Sequence, residues 1–336
     1  MEKKQLPQKF KDRLQEQFPK EFETILRSFH KRPPVLRVNT ILTTPDEMRK
    51  KLKKTYGIET LEISFLPNAL EVTKATRKEL TDLPEYKVGM FYIQSVASQL
   101  VVHFLDPQPG EKILDLCAAP GSKTTQIAIQ MECRGELIAN ELNKDRFFKL
   151  TANLQHQKVN HFVTTKKYPG QNYPAFYPEY FDRVLVDAPC SSESRFIDGE
   201  AKTYQYWSQP KVKALSKLQR RLLSAAIRCT KGGGTIVYST CSLAPEENEL
   251  VVNDILKKHP EVELQKIRWK EASLPLLAKW NEKPIHQELS KTLRLFPDRL
   301  LESFFMAVFR KVKTVPLNAQ ANKLGIQKKQ KYNKDN

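Results

Sequence analysis

Apolar positions Leu14, Phe18, Phe22, Ile25, Leu26 and Phe29 recur at helical spacing, and predict a helical entry over residues 1–31 that packs on whatever follows. Pro33 and Pro34 end it, because a proline ring removes a backbone donor and clashes with the preceding turn. From Val35 the pattern changes. VLRVNT reads as a strand, TPDEMRKKLKKTYG as a basic helix opened by Thr44 and Pro45 and closed by Gly57, and ALEVT as another strand. Residues 32–88 therefore form a small α+β unit of the RRM or ferredoxin-like kind, fit for an RNA-binding accessory domain or for a structural appendage.

Beyond LPEYKVG, strand and helix patterns alternate: EKILDL then TTQIAIQM, GELIANE then DRFFKLTANLQ, FDRVLVD then a long helix, GGTIVYST then PEENELVVNDILKKH. Such alternation implies an α/β domain over residues 89–312, with a mostly parallel sheet and helices on both faces. The long helix carries Val212, Leu215, Leu218, Leu222, Leu223 and Ala226 on one side and is expected to stop at Gly232-Gly233-Gly234. SFFMAVFR reads as a late strand. Residues 313–336 are polar, lysine-rich and aperiodic, and are expected to be a basic disordered tail, with no further domain following the α/β one.

Charge narrows the function class. The 336 residues hold 56 Lys and Arg against 38 Asp and Glu, a formal net charge of +18, which suits a polyanionic partner such as RNA. The N-terminus has no apolar core of a signal sequence and no run of ~18 apolar residues occurs, so a cytoplasmic, non-spanning protein without membrane contact is expected, acting as a monomer. Five cysteines, Cys117, Cys133, Cys190, Cys229 and Cys241, include no C-x-x-C pair. That disfavours a zinc ribbon or disulfide framework, so no metal is expected, and leaves core packing or catalysis.

The stretch DLCAAPGSKT, Asp115 to Thr124, has the strand–turn–helix form of a nucleotide loop. It is not a P-loop, since a serine separates Gly121 from Lys123, and it lacks the three glycines of a dinucleotide fold. A nucleoside ligand without phosphates fits better: one glycine for close backbone approach, and Glu141 on the next strand for ribose hydroxyls. S-adenosylmethionine is such a ligand.

In an open α/β sheet, ligands bind beyond the carboxyl ends of the strands. Those ends deliver Asp115 and Cys117, then Glu141, then Asp187, Pro189 and Cys190, then Thr240 and Cys241. A single cysteine after a strand is usually core filler; two, ending separate strands beside a cofactor loop, point to chemistry. Methyl transfer to carbon 5 of a pyrimidine asks for this set. A thiolate adding to carbon 6 makes carbon 5 nucleophilic. An acid near ring nitrogen 3, with Asp187 as the candidate, steadies the charge that develops, and a second thiol assists release. Spacing alone does not say which thiol attacks.

The motifs GMFYIQSVASQL, DLCAAPGSKTTQIA, ANELNKDR, FDRVLVDAPCSS, GGTIVYSTCSLAPEENE and RLFPDRLLESFFMAVFRK, with RVNT upstream, resemble the Nol/Nop/Sun (Fmu) family of RNA cytosine-5 methyltransferases. The likeness leans toward the bacterial ribosomal RNA branch. It implies a Rossmann-like class I methyltransferase domain, S-adenosylmethionine as cofactor and structured RNA, ribosomal more than transfer RNA, as partner. It further implies Cys241 as the nucleophile, Cys190 as the group promoting release, Asp187 at the target base and Lys123 reaching toward that base. Cys117, Ala118, Ala119, Pro120, Gly121, Ser122 and Lys123 would wrap the methionine end of the cofactor, with Glu141 on the ribose and Asp187 close by.

Two departures stand out. Lys167 falls where the family has an acid near adenine, and Asp298 where it commonly has histidine. A transfer RNA enzyme and a non-catalytic ribosome-assembly factor keeping the fold are the alternatives; a DNA methyltransferase is disfavoured by the TCS motif. Lys50, Lys51, Lys53 and Lys54 are candidate phosphate contacts. If RNA binding rests on such contacts, affinity measured by filter binding falls roughly 100-fold or more between about 50 and 200 mM salt.

Overall fold

The computed structural model describes residues 5–312 apart from positions 278, 281 and 282; the expected tail, 313–336, lies outside the described residues. The helical entry is two helices, α1 (Gln8–Gln17) and α2 (Phe22–Arg27). Their apolar faces, through Phe10, Leu14, Phe18, Ile25 and Phe29, close on Phe196, Tyr204, Leu243 and Leu274. They therefore buttress the segments that follow Cys190 and Cys241.

The small unit comprises β1 (Val35–Val38), α3 (Pro45–Tyr56), β2 (Thr60–Ile63), β3 (Leu66–Val72), α4 (Arg77–Asp82), α5 (Pro84–Lys87) and β4 (Phe91–Ile93). Helix α3 starts and stops as its sequence dictates: Thr44 and Glu47 form a reciprocal capping box, Pro45 sits in the first turn, and Gly57 takes the left-handed conformation at φ 66°. The antiparallel sheet runs β2-β3-β1-β4. The boundary expected at residue 88 is thus corrected, because Phe91 and Ile93 pair with Val38 and Leu36 of β1. Arg37 of the RVNT strand enters the catalytic domain, donating to the Ser122 carbonyl at 2.5 Å and to Thr125 Oγ1 at 2.8 Å. Asn39 Nδ2 donates to the carbonyls of Gly89 and Gln157, both at 3.1 Å.

The catalytic domain continues with α6 (Val96–Leu105), β5 (Lys112–Asp115), α7 (Ser122–Gln130), β6 (Glu136–Asn140), α8 (Lys144–His156), β7 (Val163–Lys166), β8 (Phe181–Asp187), α9 (Gln209–Cys229), β9 (Thr230–Thr240), α10 (Glu249–Lys258) and β10 (Val262–Gln265). A two-residue pair, β11 (Lys279–Trp280) and β12 (Lys283–Pro284), precedes β13 (Leu293–Arg294) and β14 (Phe305–Lys311). The sheet order is β10-β14-β9-β8-β5-β6-β7. The pairs among β9, β8, β5, β6 and β7 are parallel, and β14 alone runs antiparallel between β9 and β10. Alternate strand residues face opposite layers: Ile113, Leu137, Leu185 and Val237 join one core, Leu114, Ile138, Val184 and Ile236 the other. Helix α6 is buried nearly all round, so it shows no amphipathic stripe in the sequence.

The glycine stop expected for α9 is corrected. The helix ends at Cys229 and the chain passes directly into β9, which contains all three glycines. At Gly234 a Cβ would come within 2.4 Å of Thr230 Cγ2 and 2.8 Å of the Asp182 carbonyl oxygen, so this position admits only glycine because the chain bulges against β8.

Between helix and sheet, Arg294 of β13 and Glu249 of α10 form an ion pair at 2.6 Å with both side chains 0% exposed. Arg294 also donates to the Leu243 carbonyl at 3.0 Å and lies between the rings of Phe18 and Phe305. No helix among the described residues is long and apolar enough to cross a membrane. Arg294→Leu strands Glu249 as a buried, unpaired carboxylate and is expected to cost about 3–5 kcal/mol in urea unfolding.

Candidate active site

The carboxyl ends of β5, β8 and β9, with the β4–α6 junction of the small unit, surround a cavity of about 600 Å³. Its walls include Cys117, Ala118, Ala119, Pro120, Ser122, Lys123, Asp187, Cys190 and Cys241. Of the residues expected at the site, these are brought together; Gly121 and Glu141 are not on the wall.

The loop after β5 is shaped by its neighbours. The Ala118 N–H donates to the Asn140 carbonyl at 2.8 Å, Arg146 Nη2 to the Ala119 carbonyl at 2.6 Å, and Asn153 Nδ2 to the Pro120 carbonyl at 2.8 Å. Gly121 holds φ 106°, and a Cβ there would press on Leu150 Cδ1 at 3.1 Å. The glycine thereby lets the loop approach α8. Glu141 is 5% exposed; its carboxylate accepts from the Asn143 N–H at 2.9 Å and pairs with Arg146 at 3.3 Å.

Asp115 and Asp187 differ in their settings. Asp115 Oδ2 accepts from Thr124 Oγ1 at 2.7 Å, while its buried Oδ1 has no hydrogen-bond partner. Burial first, opposed by the Thr124 bond and aided by Asp187, pushes its carboxyl up to about 7. Asp187 is held at both oxygens, Oδ2 by Lys123 Nζ at 2.7 Å and Oδ1 by Ser239 Oγ at 2.9 Å. Lys123 lies 5.5 Å from the centroid of the Phe304 ring. Lys123 and Asp187 thereby form one charged unit at the cavity floor.

The two cysteines meet. Cys190 Sγ and Cys241 Sγ are 3.4 Å apart, and Cys241, 6% exposed, opens only onto the cavity. The hydrogen bond with Cys190 first, and then the Arg195 guanidinium, draw the Cys241 thiol below its ordinary range against burial. The same bond, with burial, raises Cys190.

Behind the sulfurs lies a polar brace that the sequence did not reveal. Glu247 accepts from the Ser191 N–H at 3.0 Å, Ser242 Oγ at 2.6 Å and Gln219 Nε2 at 3.0 Å. Glu193 accepts from the Leu243 N–H at 2.9 Å and Trp207 Nε1 at 2.7 Å. Burial pushes Glu247 up to about 7 and raises Glu193. These acids stand inside the strings PCSSE and PEENE, yet nothing in their spacing shows that they share Ser242. Arg195, Tyr92, Gln94 and Glu302 also line the cavity without having been singled out.

The two departures fall outside the cavity. Lys167 is exposed beyond β7, and Asp298 caps a turn by accepting from the N–H groups of Leu300 and Leu301, both at 2.6 Å. Of the lysines on α3, Lys51 pairs with Glu85 at 2.9 Å and Lys53 with Glu59 at 3.4 Å. Lys50 and Lys54 are exposed.

S-adenosylmethionine fits this set of residues. The unsatisfied Asp115 oxygen beside the cavity is an acceptor suited to an ammonium group, and the cavity is large enough for a nucleoside-sized ligand.

Comparison with known proteins agrees with this geometry. Residues 102–310 match the family model "16S rRNA methyltransferase RsmB/F", and residues 6–78 match its ferredoxin-like domain. The chain is 38% identical to the tRNA (cytosine(49)-C(5))-methyltransferase of Pyrococcus abyssi, over 83% of this chain and 88% of that protein. It is 35% identical to ribosomal RNA small subunit methyltransferase F of Erwinia tasmaniensis, over 84% of this chain but 58% of that one. The crystal structure of a methyltransferase homolog from Pyrococcus horikoshii superposes with a TM-score of 0.79 at 30% identity, covering 91% of this chain and 95% of that one. The cavity, the paired thiols and these matches converge: the chain belongs to the RsmB/F family, within the Nol/Nop/Sun group of S-adenosylmethionine-dependent RNA cytosine-5 methyltransferases.

Proposed function

We propose that this enzyme methylates carbon 5 of a cytosine in structured ribosomal RNA through a transient bond between Cys241 and carbon 6 of the base. The observation that carries this reading is the 3.4 Å approach of two cysteine sulfurs at the floor of a cavity shared with Lys123 and Asp187. Bound S-adenosylmethionine supplies an electrophilic methyl group. Cys117, Ala118, Ala119, Pro120 and Ser122 would flank its methionine end, with Asp115 accepting from the ammonium. Gly121 would set the loop's turn, and Glu141 would lie toward the ribose behind Arg146.

Cys241 adds as a thiolate to carbon 6, and the ring's displaced electron pair makes carbon 5 nucleophilic. Asp187 steadies the ring near nitrogen 3, with Lys123 fixing the carboxylate and extending toward the base. Once carbon 5 carries the methyl group, its proton passes to water in the cavity, the C–H electron pair re-forms the ring double bond and the Cys241 sulfur departs as a thiolate. Cys190, one hydrogen bond away, assists that departure. A flipped or unpaired target is required, since the sulfur sits at the floor of the cavity.

A ribosomal substrate is supported by the description of the matching family model and by the bacterial relative. A transfer RNA substrate is the second reading, favoured by the printed name of the Pyrococcus abyssi relative.

Incubating wild type, Cys190→Ala and Cys241→Ala with tritiated cofactor and separated ribosomal and transfer RNA tests both points. Denaturing gels should show stalled protein–RNA adducts for Cys190→Ala and none for Cys241→Ala, with label in the ribosomal fraction. The reverse pattern exchanges the cysteine roles, label confined to transfer RNA selects the second reading, and no label with any RNA overturns the assignment.

A further inference from the structure

Four cations line the cavity, Arg77, Lys123, Arg146 and Arg195, and Arg146 is engaged with Glu141 at 3.3 Å. Lys123 is already engaged, bound to Asp187 at 2.7 Å. Arg195 is not. It ends the short turn Glu193–Arg195 that follows Cys190, and Ser192, left-handed at φ 59°, swings the chain into that turn.

The backbone of this turn is fixed to the Cys241 loop. The Ser194 N–H donates to the Cys241 carbonyl at 3.0 Å, and Glu193 accepts from the Leu243 N–H at 2.9 Å. The Arg195 side chain emerges on the cavity wall, exposed, with no hydrogen-bond or ion-pair partner among the described residues. A tethered backbone with a free head group is an arrangement for holding charge at a set place.

The charges facing it are few. Arg195 feels Cys241 most strongly, then Glu302, Asp187 and Cys190. Cys241 in turn faces Cys190, Arg195, Asp187 and the Ser192 hydroxyl. Asp187 repels negative charge on that sulfur, and Lys123 is neutralised by its own ion pair with Asp187. Of the two cations on the cavity wall without a side-chain partner among the described residues, Arg77 belongs to the small unit, whereas Arg195 stands in the turn bonded to the Cys241 loop.

We propose that Arg195 is a positioning residue for methyl transfer, whose free guanidinium supplies the positive charge beside which the Cys241 sulfur stands as a thiolate ready to attack. This rests on Cys241 being the nucleophile. The thiol proton leaves to water, and the guanidinium keeps its own protons throughout. Burial opposes a charged sulfur, and the Cys190 bond alone leaves a donor proton beside it. Arg195 weights the balance toward the charged form.

The first readout needs neither RNA nor turnover. The RNA-free full chain is labelled with iodoacetamide from about pH 5 to 9.5, and modification of the Cys241 peptide is read by mass spectrometry. Wild type should label with a midpoint below that of a free thiol. Arg195→Met and Arg195→Gln should raise that midpoint by about one pH unit or more, which is roughly tenfold less labelling at pH values well below the midpoint, and Arg195→Lys should restore most of it.

A neutral variant that melts like wild type and keeps the wild-type midpoint overturns the proposal. So does one that only raises the KM for RNA, since that marks a phosphate contact instead. Should neither neutral variant fold, the wild-type midpoint is followed from about 0.05 to 1 M NaCl, where screening of an exposed guanidinium moves it upward and an unmoved midpoint overturns the idea. Failure of Cys241 as nucleophile appears in the adduct gel, and failure of Arg195 in the labelling curve, so the two are distinguishable.

Discussion

The approach of Cys190 and Cys241 is the constraint on which the rest of the site depends. Two sulfurs at 3.4 Å are within hydrogen-bond reach, so whichever carries negative charge has a donor beside it. Each sulfur follows the end of its own strand, β8 or β9, and those strands pair in parallel with Asp187 opposite Ser239. The register therefore delivers both cysteines and the carboxylate together. A slip of one residue would turn alternate side chains to the other face and disperse the set.

Register alone does not fix the loops beyond the strands. That falls to Glu247 and Glu193, which collect donors from Ser191, Ser242, Leu243 and Trp207. Two buried acids so close to each other are tolerated because those donors satisfy them and burial keeps their protons available. The first helices add an apolar backing, with Phe10 and Phe29 packed on Phe196 in the loop that carries Arg195. The small N-terminal unit contributes as well: Arg37 ties it to the loop after β5 at Ser122, and Tyr92 and Gln94 form part of the cavity wall. It thus forms part of the cavity as well as an appended surface.

Much of this was legible in the chain. Alternating strand and helix patterns fix a doubly wound sheet because each period buries one face, and Thr44, Pro45 and Gly57 mark helix α3 because caps act locally. The strand-end residues Asp115, Asp187, Cys190 and Cys241 could be placed on one edge because parallel strands present their carboxyl ends together. What the chain left open depended on distant contacts. Helix α6 has no stripe because it is buried all round, the triple glycine sits in a strand because Gly234 meets Asp182 across the bulge, and Gly121 is fixed by α8. The sharing of Ser242 by two acids, the bond from Ser194 to Cys241 and the free guanidinium of Arg195 exist only once separate segments fold together. Sequence determined which groups reach the edge of the sheet, since periodicity and capping are local; tertiary structure decided which of them touch and which charge stays unpaired, since distances between segments far apart in the chain are set by packing.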